Sequence, residues 1–394
     1  MKSLLIITNL RFGSLSLLMK ILKGFAIGIL SLGVIFTIGY FMIKHLLPSV
    51  GQAPEPTEME KSPYYQDGKF QNIIETKSAD FSQMPGIMKD YIKRKAEGAP
   101  SSDYVFQESN RDLLIQDTSG SIHYNWLGHA AVLMEKDSKY ILLDPMLGRR
   151  ASPFSFLGPQ RYSAPPILAE DLPDLEAVIY SHDHYDHLDY ETVLKIKDKT
   201  KFFYVPLGVA ATLLKWGVKQ TQIRELSWWD QANQEYDITI TATPARHFSG
   251  RLLSQNNTFW ASWVIKWGNE NVYFGGDTGI FDGFEEIDEK LGPFDMAILP
   301  VGAYNDAWHD IHMNPEEAAK AFGQMRAEKL LPIHWGTFDL ALHSWYEPIQ
   351  DLIKYSEKQN LPLITLPQGR WFSKSDYPKD VYWWKPYSKE LSQK

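Results

Sequence analysis

Positions 181–187 read Ser181-His182-Asp183-His184-Tyr185-Asp186-His187, which sets three imidazoles and the Asp186 carboxylate within six consecutive positions. Imidazole nitrogen and carboxylate oxygen are the donors a divalent metal such as zinc accepts, and the spacing lets His182 and His184 face one ion while Asp186 and His187 face a second. One loop does not complete two sites, because each ion needs three or four protein donors and a position for water. The chain offers them at His247, Asp277 and His334, which follow the runs YDITITATP, NVYFGGD and KLLPI. A single histidine after such a run is ordinarily just hydrogen-bonded or exposed. Together with the dense loop, the three point to a binuclear site. Two close ions activate water and neutralise charge on the attacked group, which is hydrolytic chemistry without a nucleophilic side chain. The chain has no cysteine, so disulfides, thiolate ligands and thiol nucleophiles are excluded together.

The elements that must position these residues are short apolar runs: IHYNWLG, AVLMEK, KYILLDP, LEAVIYS, YDITITATP, WASWVIKW, NVYFGGD, FDMAILPVG and KLLPIHWG. Several alternate with period two and others form short buried stretches, as strands do. Ligands at strand ends are held at a fixed entry point while the loop turns side chains inward. Helical patterns lie between the runs. One starts at Asn314 as N-cap, with Pro315 at the first helical position and Glu316 and Glu317 favouring the dipole, and Arg326 and Lys329 are expected near its end.

Upstream, Gly24 to Ile43 is an uncharged stretch of twenty residues, about 30 Å of helix and one hydrocarbon thickness. It predicts one uncleaved transmembrane anchor, too long for the apolar region of a cleaved leader. Lys2, Arg11, Lys20 and Lys23 precede it with no acidic residue, whereas Lys44 alone stands close on the other side before Glu55 and Glu58. That bias predicts a cytoplasmic N-terminus and a catalytic domain on the outer face. Met19 is an alternative start, since the anchor needs only a basic flank. The Pro-, Glu-, Ser- and Gln-rich stretch from Leu47 to Tyr64 reads as a tether. The expected organisation is a basic terminus at 1–23, the anchor at 24–43, a linker at 44–69, an extension at 70–120 with a helix near Met88 to Ala96, and a catalytic domain at 121–394. The net charge of −8, with dispersed basic residues, excludes a nucleic-acid footprint.

From roughly Asn125 to Tyr346 the chain resembles the metallo-β-lactamase superfamily, and within it the N-acyl-phosphatidylethanolamine-hydrolysing phospholipase D family. The stretches that carry the likeness are Trp126-Leu127-Gly128-His129-Ala130, Arg150-Ala151-Ser152-Pro153, Gly158-Pro159, Ser181 to Tyr190, Val205-Pro206-Leu207-Gly208, Gly276-Asp277-Thr278-Gly279, Pro315-Glu316-Glu317-Ala318 and Ile333-His334-Trp335-Gly336-Thr337-Phe338. The resemblance implies an α/β fold, the αββα sandwich of two packed sheets with outer helices. It implies a binuclear zinc site with His182, His184 and His247 on one ion, Asp186, His187 and His334 on the other, and Asp277 bridging both. It also places His312 beside the metals, to contact a phosphate oxygen or donate a proton, so that Asp186, Asp277 and His312 count as the catalytic residues. Nitrogen at His184, where iron-dependent members carry a carboxylate, favours zinc.

The activity so implied is phospholipase D-type hydrolysis of a membrane phospholipid, N-acyl-phosphatidylethanolamine, to phosphatidic acid and an N-acylethanolamine. Gly302-Ala303-Tyr304-Asn305-Asp306 matches the family's binding wall only in part, and the N-terminal helix departs from the mammalian enzymes. A lactone or thioester hydrolase of the same fold is the alternative enzyme, and a non-catalytic membrane scaffold the alternative outside catalysis. His129 and Asp144 could orient metal ligands from behind, but plain structural roles are the favoured reading. His45, His123, His309 and His343 carry no motif and stand outside the expected site.

Overall fold

The computed structural model describes residues 2–78, 84–94, 96–104, 120–378 and 382–392. It divides into two units, Met1–Val50 and Gly51–Lys394. The first is dominated by helix α1 (Lys2–Leu46), in which Leu22–Lys44 has a mean hydropathy of 2.2, long and apolar enough to cross a membrane by length and composition. The span covers the expected Gly24 to Ile43. Part of the expected extension, residues 105–119, lies outside the described residues.

The second unit begins with α2 (Pro56–Met59), the hairpin β1 (Tyr65–Gln66) and β2 (Lys69–Phe70), and α3 (Met84–Lys93). Here the structure differs from the tether reading. Gln52 exchanges hydrogen bonds with the Thr212 hydroxyl, Met59 and Phe70 are buried, and Tyr64 and Phe70 stack on Phe259. A composition that disfavours packing on average is overridden by a few large apolar side chains, worth about 1.5–3 kcal/mol each on burial. Helix α3 also starts four residues before the expected Met88, with Pro85 in the first turn, where a missing N–H costs nothing.

The remaining strands form two sheets. One holds β3 (His123–Gly128), β4 (Ala131–Lys136), β5 (Lys139–Leu143), β6 (Leu175–Ile179), β7 (Thr200–Pro206) and β8 (Ile223–Leu226). The other holds β9 (Gln231–Gln234), β10 (Ile238–Thr243), β11 (Ser262–Trp267), β12 (Glu270–Phe274), β13 (Met296–Pro300) and β14 (Leu330–Ile333). A last strand, β15 (Trp371–Ser373), pairs with β3, giving the orders β15-β3-β4-β5-β6-β7-β8 and β14-β13-β12-β11-β10-β9. Pairing is antiparallel from β3 to β5 and from β9 to β12, then parallel out to β8 and to β14. Parallel neighbours need crossovers; the one from β5 to β6 is irregular chain, and the others run through α4 (Tyr190–Ile196), α5 (Ala210–Lys215), α6 (Gly283–Leu291) and α7 (Pro315–Gln324), while α8 (Glu347–Gln359) packs on α7.

Alternation in the strands sorts the layers. Tyr124, Trp126, Val132, Met134, Ile141 and Ile179 join Ile240, Ile265 and Phe274 between the sheets. The intervening Leu133, Leu142 and Val178 join Val193, Ile196 and Leu213 of α4 and α5 on the outer face. Strands apolar on both faces are why the sequence reads as short continuous runs rather than strict alternation. This is the αββα sandwich.

The start of α7 is as read: Asn314 accepts from Glu317 N, and Glu317 accepts from Asn314 N, both at 3.0 Å. Its end is not. The helix stops at Gln324, and Arg326, beyond it at φ +46°, pairs with Asp288 of α6 instead of the helix dipole.

Candidate metal centre

Asp144 leaves the end of β5 fully buried, beside the loop that leaves its parallel neighbour β6. Its Oδ1 accepts the backbone N–H of Ser181 at 2.6 Å, while Oδ2 accepts the Ser181 hydroxyl at 2.5 Å and Nδ1–H of His187 at 2.7 Å. With that hydroxyl committed, His182 Nδ1, 2.8 Å from Ser181 Oγ, must be the donor there. His247 Nδ1 likewise donates to the carbonyl of Ile311 at 3.0 Å. His182 and His247 therefore keep the Nε2 lone pair free, as metal ligands must, and the bond to Asp144 leaves Nε2 as the nitrogen that His187 turns toward the site.

The free nitrogens converge. His182 Nε2 lies 2.8 Å and His247 Nε2 3.4 Å from His184 Nδ1. Next to this trio stands a second cluster of Asp186, His187, His334 and His129, with His129 Nε2 3.0 Å and His334 Nε2 3.5 Å from Asp186 Oδ2. Asp277 faces both. Its Oδ2 is 3.1 Å from His187 Nε2 and 3.7 Å from His247 Nε2, and its Oδ1 is 3.0 Å from His334 Nε2. His312 Nδ1 lies 3.9 Å from Asp277 Oδ2 and has no hydrogen-bond partner among the described residues.

Local backbone makes this crowding possible. At Gly276, φ +57°, a Cβ would come within 2.3 Å of Ser181, so only glycine lets the exit of β12 approach the ligand loop. His334 itself adopts φ +66°, and a Cβ at Gly302 would strike its carbonyl at 2.2 Å. Strained backbone of this kind gathers at functional sites, held by its surroundings. Arg251, buried, braces the loop: it donates to the carbonyls of Asp183 at 2.6 Å and Leu188 at 3.0 Å and stacks on Tyr185. Asn72 ties the N-terminal segment to the other side, donating to His247 O at 2.7 Å and accepting from His247 N at 3.1 Å.

Burial sets the electrostatics. It drives His182 and His247 well below the ordinary imidazole range, so both are neutral. Burial opposes charge on His334 too, but Asp277 and Asp186 outweigh it and carry that ring up to about 9. Burial would raise Asp186 and Asp277, yet the surrounding imidazoles, His187 first, hold both well below the usual carboxylate range. A buried carboxylate, Asp277, and a half-buried one, Asp186, ringed by convergent nitrogens, require positive charge among them. The donor set, all nitrogen and oxygen, fits two divalent cations.

The sequence-derived His182, His184, Asp186, His187, His247, Asp277 and His334 thus come together, with His312 at their edge. His309 instead pairs with Glu317, and His343 accepts from the backbone of Ala303 at 3.1 Å. Sequence reading undervalued Asp144 and His129 and did not single out Arg251, Asn72 or Phe248, whose ring packs on His184 with centroids 4.4 Å apart. For Asp144 a signal existed: it follows an apolar run, KYILL, just as Asp277 follows NVYF.

Comparison with known proteins places the chain in a family. The family model described as the beta-lactamase superfamily domain matches residues 139–335. An uncharacterised protein of Mycobacterium tuberculosis is 41% identical over 318 residues, covering 79% of this chain and 84% of its own. The N-acyl-phosphatidylethanolamine-hydrolyzing phospholipase D 1 of Caenorhabditis elegans is 38% identical over 269 residues, 64% of this chain and 75% of that one. Among solved structures, the isothiocyanate hydrolase from Delia radicum gut bacteria superposes with a TM-score of 0.52 at 22% identity, over 64% of this chain and 99% of the other, a likeness of fold.

Proposed function

Because the chain belongs to the metallo-β-lactamase superfamily and is a metal-dependent hydrolase, we propose that it is a zinc-dependent phospholipase D that cleaves N-acyl-phosphatidylethanolamine to phosphatidic acid and an N-acylethanolamine. The observation that carries the substrate is the likeness to the nematode phospholipase, at 38% identity over 75% of that enzyme. The observation that supports catalysis over a scaffold role is the full set of seven convergent donors.

His182, His184 and His247 would hold one ion, Asp186, His187 and His334 the other, and Asp277 would face both. Such a pair supplies Lewis acidity toward the phosphodiester and lowers the pKa of water toward neutrality. The chain's own groups do the rest. Asp144 and Ser181 fix the tautomers of His187 and His182, and His129 holds Asp186. Phe248 packs its ring against His184 and His247. The more open side is that of His184, Asp186 and His312, where a headgroup would enter.

Hydrolysis adds the hydroxyl of water to phosphorus, breaks the bond to the ethanolamine oxygen and returns a proton to that oxygen. Burial lowers His312 to about 4, so at neutral pH it is an uncharged ring. Of the two roles open to it, hydrogen bonding to a phosphate oxygen suits that state better than delivery of a proton. The anchored chain would meet this lipid in its own membrane, with the catalytic unit on the outer face.

Purified full-length protein in detergent, loaded with zinc and offered N-acylated phosphatidylethanolamine, lactones and thioesters in parallel, tests the reading. Release of phosphatidic acid with one N-acylethanolamine per turnover is expected. Efficient turnover of a lactone or thioester with the phosphodiester left intact overturns the substrate assignment and leaves the metal centre standing.

A further inference from the structure

We infer that the loop 151–158 inserts Phe156 and Leu157 into the surface of the bilayer that holds the chain, an inference that rests on the membrane-anchored reading above. Phe156 is 76% and Leu157 60% exposed, adjacent in sequence and among the most exposed large apolar side chains of the catalytic unit. Such a pair at a loop tip adds nothing to the core and invites association, so it calls for a partner that is itself apolar.

The loop is built to present them. Arg150 donates to the carbonyl of Gly158 at 2.7 Å, the carbonyl of Ser155 at 3.2 Å and Gln160 Oε1 at 2.8 Å, and Ala151 N donates to Pro159 O at 3.1 Å. Gly158 closes the turn at φ +103°, where a Cβ would meet Ser152 at 2.6 Å. Inside this frame the rings of Phe154 and Phe156 touch, with centroids 5.7 Å apart. A braced base with an apolar tip loses little conformational entropy on insertion.

Two further observations select lipid over protein. Residues 145–169 contain no acidic residue and, with Arg161 buried, present Arg149 and Arg150 at the surface, in a chain whose net charge is −8. That local positive charge complements anionic phospholipid headgroups. The base of the loop also reaches the catalytic wall: Arg161 donates N–H to Arg149 O at 2.9 Å and its guanidinium to Leu127 O at 3.3 Å and Met146 O at 2.7 Å. Leu127 leads through Gly128 to His129, the partner of Asp186. A tip seated in lipid would therefore set the metal centre beside the headgroups.

The absence of cysteine makes the test clean, since one introduced thiol carries one label. Full-length Phe156→Cys, Ser31→Cys in α1 and Lys358→Cys on α8 are each spin-labelled in nanodiscs of phosphatidylethanolamine and phosphatidylglycerol, after thermal melts match the parent. Relaxation by oxygen, which partitions into lipid, is compared with relaxation by a water-soluble nickel chelate. Expected are lipid-like exposure at 31 and 156 and water-like exposure at 358. Lipid at 31 with water at 156 overturns the loop inference and leaves the anchor intact. Water at both removes the anchor and the inference together. A label at 156 shielded from both reagents shows a protein partner and also overturns it.

Discussion

The backbone N–H of His334 donates to the carbonyl of His129 at 3.0 Å, and the two rings lie 4.0 Å apart between centroids while both point toward Asp186. One residue thus shapes the entry of another and shares its carboxylate. His129→Ala is expected to lower affinity for the ion on the Asp186 side by roughly 10–100-fold, the usual cost of removing an outer partner of a ligand. Chelator competition on the purified protein reads it. Unchanged affinity would mean that Asp186 is oriented without His129.

Asp277→Asn should abolish most turnover. Asp277 alone among the donors approaches both histidine clusters with its oxygens, and an amide brings no charge between two dications. Fewer than two ions per chain and a small change in melting temperature are expected, with His309→Ala as a mild comparison on an exposed helix pair. Near-normal turnover with both ions retained would refute the site.

Removal of metal should make stability depend on alkaline pH. In the metal-free chain His334 is raised from 6.5 to about 9 by Asp277 and Asp186 against the cost of burial. A group raised on folding contributes stability that is full below its unfolded pKa and is lost as pH climbs through the folded one. Chelated protein should therefore lose stability as pH climbs from 6.5 through 9, His334 alone accounting for roughly 3 kcal/mol. The metal-loaded protein, in which cations take the proton's place, should show no such decline. Parallel melting curves for the two forms would contradict the account.

For topology, protease added to intact spheroplasts is expected to digest the catalytic unit, as the basic flank before Gly24 and the sparse charge after Ile43 require. Full protection alongside a protected cytoplasmic control would reverse the orientation.

What the sequence disclosed depended on how local the cause was. The ligand loop was legible because its donors stand within a few positions of a strand end, and the start of α7 because Asn-Pro-Glu-Glu carries its own capping. Asp144 was undervalued because its role depends on Ser181 and His187, which parallel pairing of β5 and β6 brings from about forty positions away. Arg251 gave no local sign, since a buried guanidinium in a Ser- and Leu-rich loop reads as surface until its two carbonyl partners are known. The stretch 51–70 was misjudged because composition averages out Met59, Tyr64 and Phe70, the side chains that fasten it.

That fastening bears on how the hydrolase unit can be cut free of the apolar N-terminal helix. Asn72 holds the backbone of His247 by both its N–H and its carbonyl, and Phe70 lies against Phe259 with the rings 4.5 Å apart. Proteolytic release before Gly51 would shed a soluble hydrolase with its centre whole. A cut near Ser121, where the catalytic pattern begins, would strip His247 of its support and leave an aromatic face bare. Release and inactivation are therefore separated by about seventy residues of chain, a span in which the position of a nick decides whether the freed unit keeps its centre or loses it.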